Sequence, residues 1–403
     1  MLVTYVTPYF TESAKLFLRA LLAQPEARIA VAAGEDIDRL PIELRCAIAH
    51  FERVDDPLST DDIGTAIDRI AAASGPVARI LGIAEQLQVQ LGSLRDRLDL
   101  PGMRAEQAIG FRDKTRMKDV LRTAGVPVAR HRQVDTTSDA LRFAGEVGYP
   151  LIVKPPAGAA AQSTFRAGDE ASLRLALGPA SRAAGGVALL EEMVTGQEHS
   201  FDAFVQGGRV VFYSTSTYHP SCLEVMENPW MQWVVILPRE HRVDDIAAIG
   251  TRALQALGLS DGMCHLEWFR RKDGSVVVSE VGARPPGAQI PVMIGRAHEV
   301  DCIEAWAKLM LFDSFEPFPD RKFAVGAAYL RGQGEGRVRA VRGLDAIHRD
   351  LGDIITDARV PPIGHGKGTS YEGEGFIIVR HSDTTVVEDA LRHIVSTVRV
   401  ELG

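Results

Sequence analysis

Lysine is scarce in this chain. Of 45 basic residues in 403 only eight are lysine, so a lysine at an anion-binding position stands out against a thin background. Cysteine is scarcer: Cys46, Cys222, Cys264 and Cys302 are widely spaced with no C-x-x-C, which argues against a zinc ribbon or a disulfide framework and makes small buried residues the expectation. Long apolar runs are missing too. Stretches such as Ile29 to Ala33 and Val276 to Val278 fall far short of the roughly 20 residues of a membrane span, and the N-terminus opens as a strand without a basic leader. There is no dense basic block and the formal charge is −8, so neither nucleic acid nor a membrane is the expected partner. What remains, 46% hydrophobic and 24% charged, is the composition of a globular protein with ample core, expected in the cytoplasm.

The order of elements predicts an α/β fold class. Short strands at Leu2 to Val6, Arg28 to Ala33 and Ala78 to Gly82 alternate with helical stretches at Glu12 to Leu22 and Ile83 to Leu98, the pattern of a parallel sheet with crossover helices. Val6-Thr-Pro-Tyr-Phe10 stands where a dinucleotide-binding G-x-G-x-x-G would follow the first strand, so no such site is expected. A helix from Asp113 to Arg122 stops at Ala124-Gly125-Val126-Pro127. Next come a strand near Val128 to Gln133, a helix at Thr137 to Val147 with Ser138 in a capping environment, and the strand Leu151 to Lys154. Lys154 opens a run of small residues to Ser163, which suits a loop whose backbone N–H groups approach an anion. After Pro317 and Pro319 the pattern changes to short strands and glycine-rich turns with a helix near Val387 to Thr397. The expected division is residues 1–110 as an N-terminal α/β domain, 111–315 as a central domain of a small (111–187) and a large (188–315) subdomain, and 316–403 as a small strand-rich unit.

The most informative stretch runs from His265 to Glu280. Asp273-Gly274 between β-rich runs signals a tight hairpin turn. If Lys272 faces Ser275, Glu267 falls directly opposite Glu280, and facing residues in an antiparallel pair share one sheet face with Cβ atoms about 5 Å apart. Like charges so placed repel, so a cation is expected between them. Carboxylate pairs of this kind suit Mg2+, which completes its shell with water and phosphate oxygens. His265 and Glu267 share a face, but no second histidine stands at zinc-ligand spacing. Gly332-Gln-Gly-Glu-Gly336 reads as a turn, and Gly364-His-Gly-Lys-Gly-Thr369 lacks the first glycine and the Lys-Ser/Thr pair of a P-loop.

Four pieces in one order carry a resemblance: Lys114 at a helix start, Lys154 before a small-residue loop, Glu191-Glu-Met-Val-Thr-Gly-Gln-Glu198, and Glu267 with Glu280-Val-Gly-Ala-Arg284. Residues 111 to 312 resemble the ATP-grasp superfamily, which implies an α+β grasp of two subdomains at the centre of the α/β fold. The resemblance implies that Lys114 and Lys154 bind nucleotide phosphates and that Glu191 faces the adenine amino group. It further implies that the Met193 and Val194 backbone meets the adenine edge, that Glu198 accepts the ribose hydroxyls, and that Glu267 and Glu280 hold Mg2+ or Mn2+, one ion or two. Arg284 matches the family's arginine that holds the transferred phosphate. One departure stands out: where many members carry Asn two residues after the second glutamate, this chain has Gly282.

By the same resemblance, the expected activity is that of an ATP-dependent carboxylate-amine ligase joining amino acids through an acyl phosphate, with small carboxylates and amines as partners and a homodimer as the assembly to test. The rival within the fold is a purine-biosynthesis-type formate or carbonate ligase, since Glu280 to Pro285 also resembles that group's Glu-x-x-x-Arg-Pro, although Pro286-Gly-Ala-Gln-Ile290 replaces its His-containing run. A rival of another class is a nucleotide-binding regulatory protein without turnover. The irregular, aromatic segment Ser216 to Trp233 is expected to wall a substrate pocket.

Overall fold

The structure is a computed structural model and describes residues 1–158, 163–240 and 244–403. Its N-terminal sheet is parallel throughout, in the spatial order His50–Arg53, Arg28–Ala33, Leu2–Thr7, Val77–Leu81. Leu2–Thr7 is buried along its whole length, which is why its sequence does not alternate. Thr11 caps the helix Glu12–Leu22 by accepting from Ala14 N–H at 3.1 Å, and Ser59 caps Thr60–Ser74 in the same way.

A second, four-stranded antiparallel sheet runs His131–Val134, Ala188–Glu192, Leu151–Lys154, Phe165–Ala167, and it rests on the helices Thr137–Val147 and Glu170–Arg182 through Phe143, Leu151, Val153, Leu173 and Leu190. The Thr137–Val147 helix is capped by Thr136, whose hydroxyl accepts from Asp139 N–H at 3.1 Å; Ser138, expected in that role, already lies within the first turn.

The largest sheet has eight strands, all antiparallel, in the order Val276–Gly282, Gly262–Arg270, Gln197–Gln206, Arg209–His219, Trp233–Leu237, Ala324–Leu330, Gly375–His381, Ile355–Arg359. Three of these strands come from beyond residue 316. The change of pattern there marks a change in the chain's local texture, while the sheet runs straight through it. A separate three-stranded sheet (Gly332–Gln333, Arg399–Leu402, Val338–Arg342) and the helix Thr384–Thr397 complete the C-terminal part. The expectation of small buried cysteines is met at Cys222, Cys264 and Cys302 and not at the exposed Cys46.

On the large sheet His199 stacks against Trp268 (centroids 4.3 Å apart, 16° between planes), and the Arg270 guanidinium lies over the other ring partner at 5.0 Å. Burial, with Arg270 adding to it, pushes the His199 imidazole down to about 4. The unfolded chain, with an ordinary imidazole near 6.5, therefore binds a proton first as pH falls. Stability is expected to be unaffected above pH 6.5, to decline from there to about pH 4, and to level off below, with roughly 1–2 kcal/mol lost after allowance for partial exposure. Urea unfolding of the parent and of His199→Phe at pH 7, 5.5 and 4.5 checks this: the parent should lose stability more steeply, and parallel slopes would exclude His199 as the source.

Candidate active site

Three of the eight lysines converge on one cavity. Lys114 begins the helix Lys114–Thr123, held by the Asp113 carboxylate, which accepts from Thr115 and Arg116 N–H at 2.9 and 3.1 Å. Its Nζ lies 2.9 Å from Glu280 Oε1 and donates to Gly158 O at 2.8 Å. Lys118, one turn on, is fully buried with Nζ 3.3 Å from Glu191 Oε1 and 2.8 Å from Ser279 O. Lys154, at the end of its strand, approaches the same Glu191 oxygen at 3.1 Å. Burial alone would raise Glu191, but Lys118 and Lys154 outweigh it and hold the carboxylate at about 2. Two ammonium groups on one carboxylate leave net positive charge in a place shielded from water, a sound setting for an anion. Of the small-residue loop after Lys154, residues 159–162 lie outside the described residues; Pro155 and Gly158 line the cavity.

Along one wall the chain leaves the strand Ala188–Glu192. The Met193 N–H is committed to Pro150 O at 3.2 Å, whereas the Val194 N–H has no partner among the described residues. Of the two N–H groups expected at an adenine edge, Val194 is the available one. Glu198 is buried, its Oε2 accepts from Cys222 N–H at 2.7 Å, and burial together with the nearby Glu267 charge raises its carboxyl well above the usual range.

Glu267 and Glu280 do face each other, though not by the expected route. Arg270 pairs with Val276, so three residues rather than two make the turn, with Gly274 at φ 85°, a conformation that costs glycine little. A bulge at Ser279 then adds one residue to the returning strand and restores the opposition of Glu267 to Glu280. The bulge also presents the Ser279 carbonyl to Lys118. The positive charge expected between the carboxylates is supplied in this structure by separate groups, Lys114 on Glu280 and His265 Nε2 at 3.4 Å from Glu267 Oε1. Burial would lower His265, but Asp202 at 2.6 Å and Glu267 reverse this and lift it to about 9. Glu198, Cys222 and Glu267 bring one ligand atom each within 4.8 Å of one another. With Glu280 alongside, this donor set is rich in carboxylate oxygen and fits a hard divalent cation.

Arg284 is gripped on one side. Its Nε donates to Glu85 Oε2 at 2.8 Å and its Nη1 to Pro285 O at 2.9 Å, which leaves Nη2 uncommitted among the described residues. Glu85 comes from the N-terminal part, on the 3-10 turn Glu85–Leu87. It also lies close to Gly282: a Cβ there would sit 3.2 Å from Glu85 Oε2, a tight contact that a shift of a few tenths of an ångström by the carboxylate would relieve.

Lys114, Lys154, Glu191, Met193, Val194, Glu198, Glu267, Glu280 and Arg284, the full set expected from sequence, all line this one cavity. Lys118 and Glu85, which the sequence reading passed over, line it too. Lys118 had a signal, a lysine four residues after Lys114 in a lysine-poor chain. Ser221, Cys222 and Leu223, from the aromatic segment expected to wall a pocket, lie on the same cavity.

A small antiparallel sheet and a large one enclose the charged cavity between them. Residues 147–291 match the ATP-grasp domain family. Over 245 residues the chain is 27% identical to the L-arginine-specific L-amino acid ligase of Bacillus subtilis, a match spanning 59% of this chain and 59% of that protein's length. Among solved structures it is similar to the L-amino acid ligase from Bacillus licheniformis, with a TM-score of 0.79 at 18% identity over 100% of this chain and 98% of the other. It is also similar to N5-carboxyaminoimidazole ribonucleotide synthetase from Thermotoga maritima, with a TM-score of 0.73 at 16% identity over 100% and 99%. No helix among the described residues is long and apolar enough to cross a membrane.

Proposed function

We propose that this protein is an ATP-dependent carboxylate-amine ligase that forms an amide or peptide bond through an acyl phosphate and releases ADP and phosphate. The observation that carries the reading is the convergence, in one cavity, of three lysines, facing carboxylates and a half-committed arginine. A carboxylate is a poor acyl donor because its leaving group would be oxide. Attack of a carboxylate oxygen on the γ-phosphorus with departure of ADP makes a mixed anhydride, and attack of an amine on its carbonyl carbon then expels phosphate. Lys114 and Lys154 hold the phosphate oxygens and Arg284 Nη2 meets the group in transfer. Val194 N–H reads the adenine edge and Glu198 accepts the ribose hydroxyls. A divalent cation held by Glu267 and Glu280, Mg2+ or Mn2+, would offset phosphate charge there. Nucleotide binding would draw Lys154 partly away from Glu191, leaving Lys118 to keep that carboxylate paired.

The purine-type reading keeps support in the run Glu280 to Pro285 and in the likeness of the Thermotoga maritima fold at a TM-score of 0.73. The measurement that separates them is ADP and phosphate release with Mg-ATP across amino acids and small carboxylates, with mass spectrometry of each positive mixture. A product lighter by one water than its two substrates is expected; release only with formate or bicarbonate plus a ribonucleotide would transfer the protein to the rival, and ATP binding with no release in any mixture would favour a regulatory role. Lys154→Ala is expected to weaken ATP binding by about 10- to 100-fold, the worth of one buried charge-assisted contact. Calorimetry at fixed Mg2+ tests it, and an unchanged affinity would remove Lys154 from the phosphate site.

A further inference from the structure

The bulge that sets Glu280 opposite Glu267 is itself held from outside the sheet. Its strand, Val276–Gly282, is the outermost of the eight, so backbone groups on its far side have no further strand of that sheet to pair with. One segment takes them up. Val278 N–H donates to Pro127 O at 2.8 Å, Lys118 Nζ donates to Ser279 O at 2.8 Å, and Val281 N–H donates to Met117 Sδ at 3.2 Å. Lys118 is the strongest of these ties, because a fully buried ammonium shared between a carbonyl and the Glu191 carboxylate 3.3 Å away has no water to turn to. Met117, also buried, offers a sulfur that accepts only weakly. The register makes the bulge decisive. Trp268 pairs with Val278, so without the extra residue Ser279 would fall opposite Glu267 and Glu280 opposite Leu266, on the face packed into the apolar core.

We propose that Lys118 is a positioning residue for the cation site: by holding Ser279 O it fixes the bulge, and the bulge turns Glu280 away from the core and onto the face of Glu267, with Met117 as a weaker second tie. The inference rests on the assignment of Glu267 and Glu280 to a divalent cation and is independent of the acyl transfer. It is distinct from the pairing of Lys118 with Glu191, which on the proposed reading serves the adenine end. The sign of the effect separates positioning from plain electrostatics. An ammonium close to a cation site opposes the cation, so removing the charge alone would tighten metal binding. Loss of the bulge weakens it, because one of two facing carboxylates leaves the site.

The test uses the full-length protein with a non-hydrolysable ATP analogue and Mn2+, whose electron paramagnetic resonance signal reports the free ion without turnover. Lys118→Met keeps a long side chain and removes the ammonium; it is expected to weaken Mn2+ binding about tenfold or more, the usual worth of a group that orients a metal ligand. Met117→Leu keeps volume and charge, and it is expected to weaken binding about threefold through the unpaired Val281 N–H. Both variants are needed, since Lys118 also pairs with Glu191 whereas Met117 reports the strand alone. The proposal is overturned if Lys118→Met binds Mn2+ as tightly as the parent or more tightly, or if Met117→Leu binds at parent strength, which would route the effect of Lys118 through Glu191. Should Lys118→Met fail to fold, the Met117→Leu result decides alone. Failure of the wider reading looks different. A parent that binds no Mn2+ beside the analogue would overturn the cation assignment and the proposal with it, whereas the expected Mn2+ losses with no ADP release from any mixture would overturn the ligase and spare the positioning role.

Discussion

Glu280→Gln is expected to lower ADP release by about 10³-fold or more, roughly 4 kcal/mol of transition-state stabilisation, while leaving the protein folded. The substitution keeps the shape of the side chain and removes only its charge. In the empty protein two consequences oppose each other. Lys114 loses the carboxylate oxygen 2.9 Å away, which destabilises a nearly buried ammonium, although its hydrogen bond to Gly158 O remains. Against that, Glu267 is relieved of a like charge directly across the ladder. The two are of similar size, so thermal unfolding should shift little. With Mg-ATP bound nothing offsets the loss, because a neutral amide is a poor replacement for a carboxylate on a hard cation. The variant should therefore also need a higher Mg2+ concentration for half-maximal nucleotide binding, a readout independent of turnover. Turnover within tenfold of the parent, with an unchanged Mg2+ requirement, would refute the metal assignment.

The Glu267 and Glu280 pair also shows how far sequence carried and where it stopped. Their opposition was legible from a turn signal, yet the path to it differed: a three-residue turn moved the register by one and the Ser279 bulge moved it back. Turn length and bulges depend on twist and on cross-chain partners such as Lys118, which a single strand's pattern does not encode. Lys114, Lys154 and the run Glu191 to Glu198 were legible through the resemblance, each at an element end that periodicity marks. Glu85 was not, since it meets Arg284 across 199 residues from a short turn in the N-terminal part. The same holds for the three late strands that extend the large sheet: alternation tells which residues form a strand, not which edge the strand will join.

Arg284→Lys is expected to lower kcat by about 10²-fold or more and to leave the KM for ATP within about threefold of the parent. Charge is preserved, so any effect reports geometry. The guanidinium is planar, with Nε fixed by Glu85 and Nη1 by the Pro285 carbonyl, which leaves Nη2 uncommitted among the described residues on a side chain that lines the cavity. Burial would lower the Arg284 pKa, but Glu85 and its neighbours overturn this and raise it, so the group stays charged across the working pH range. A lysine is shorter and has no fork; its ammonium is free either to stay on Glu85 or to reach the substrate, but not to do both. On the proposed reading the nucleotide has its own anchors in Lys114, Lys154, Val194 and Glu198, and ground-state binding should survive the change. An interaction made only as the phosphoryl group moves is lost from kcat and from kcat/KM together. Steady-state kinetics in ATP at saturating second substrates decide the matter. If KM for ATP rose in proportion while kcat held, Arg284 would be a ground-state ligand of the nucleotide, and the transfer step would have to be stabilised by Lys114 and the cation alone.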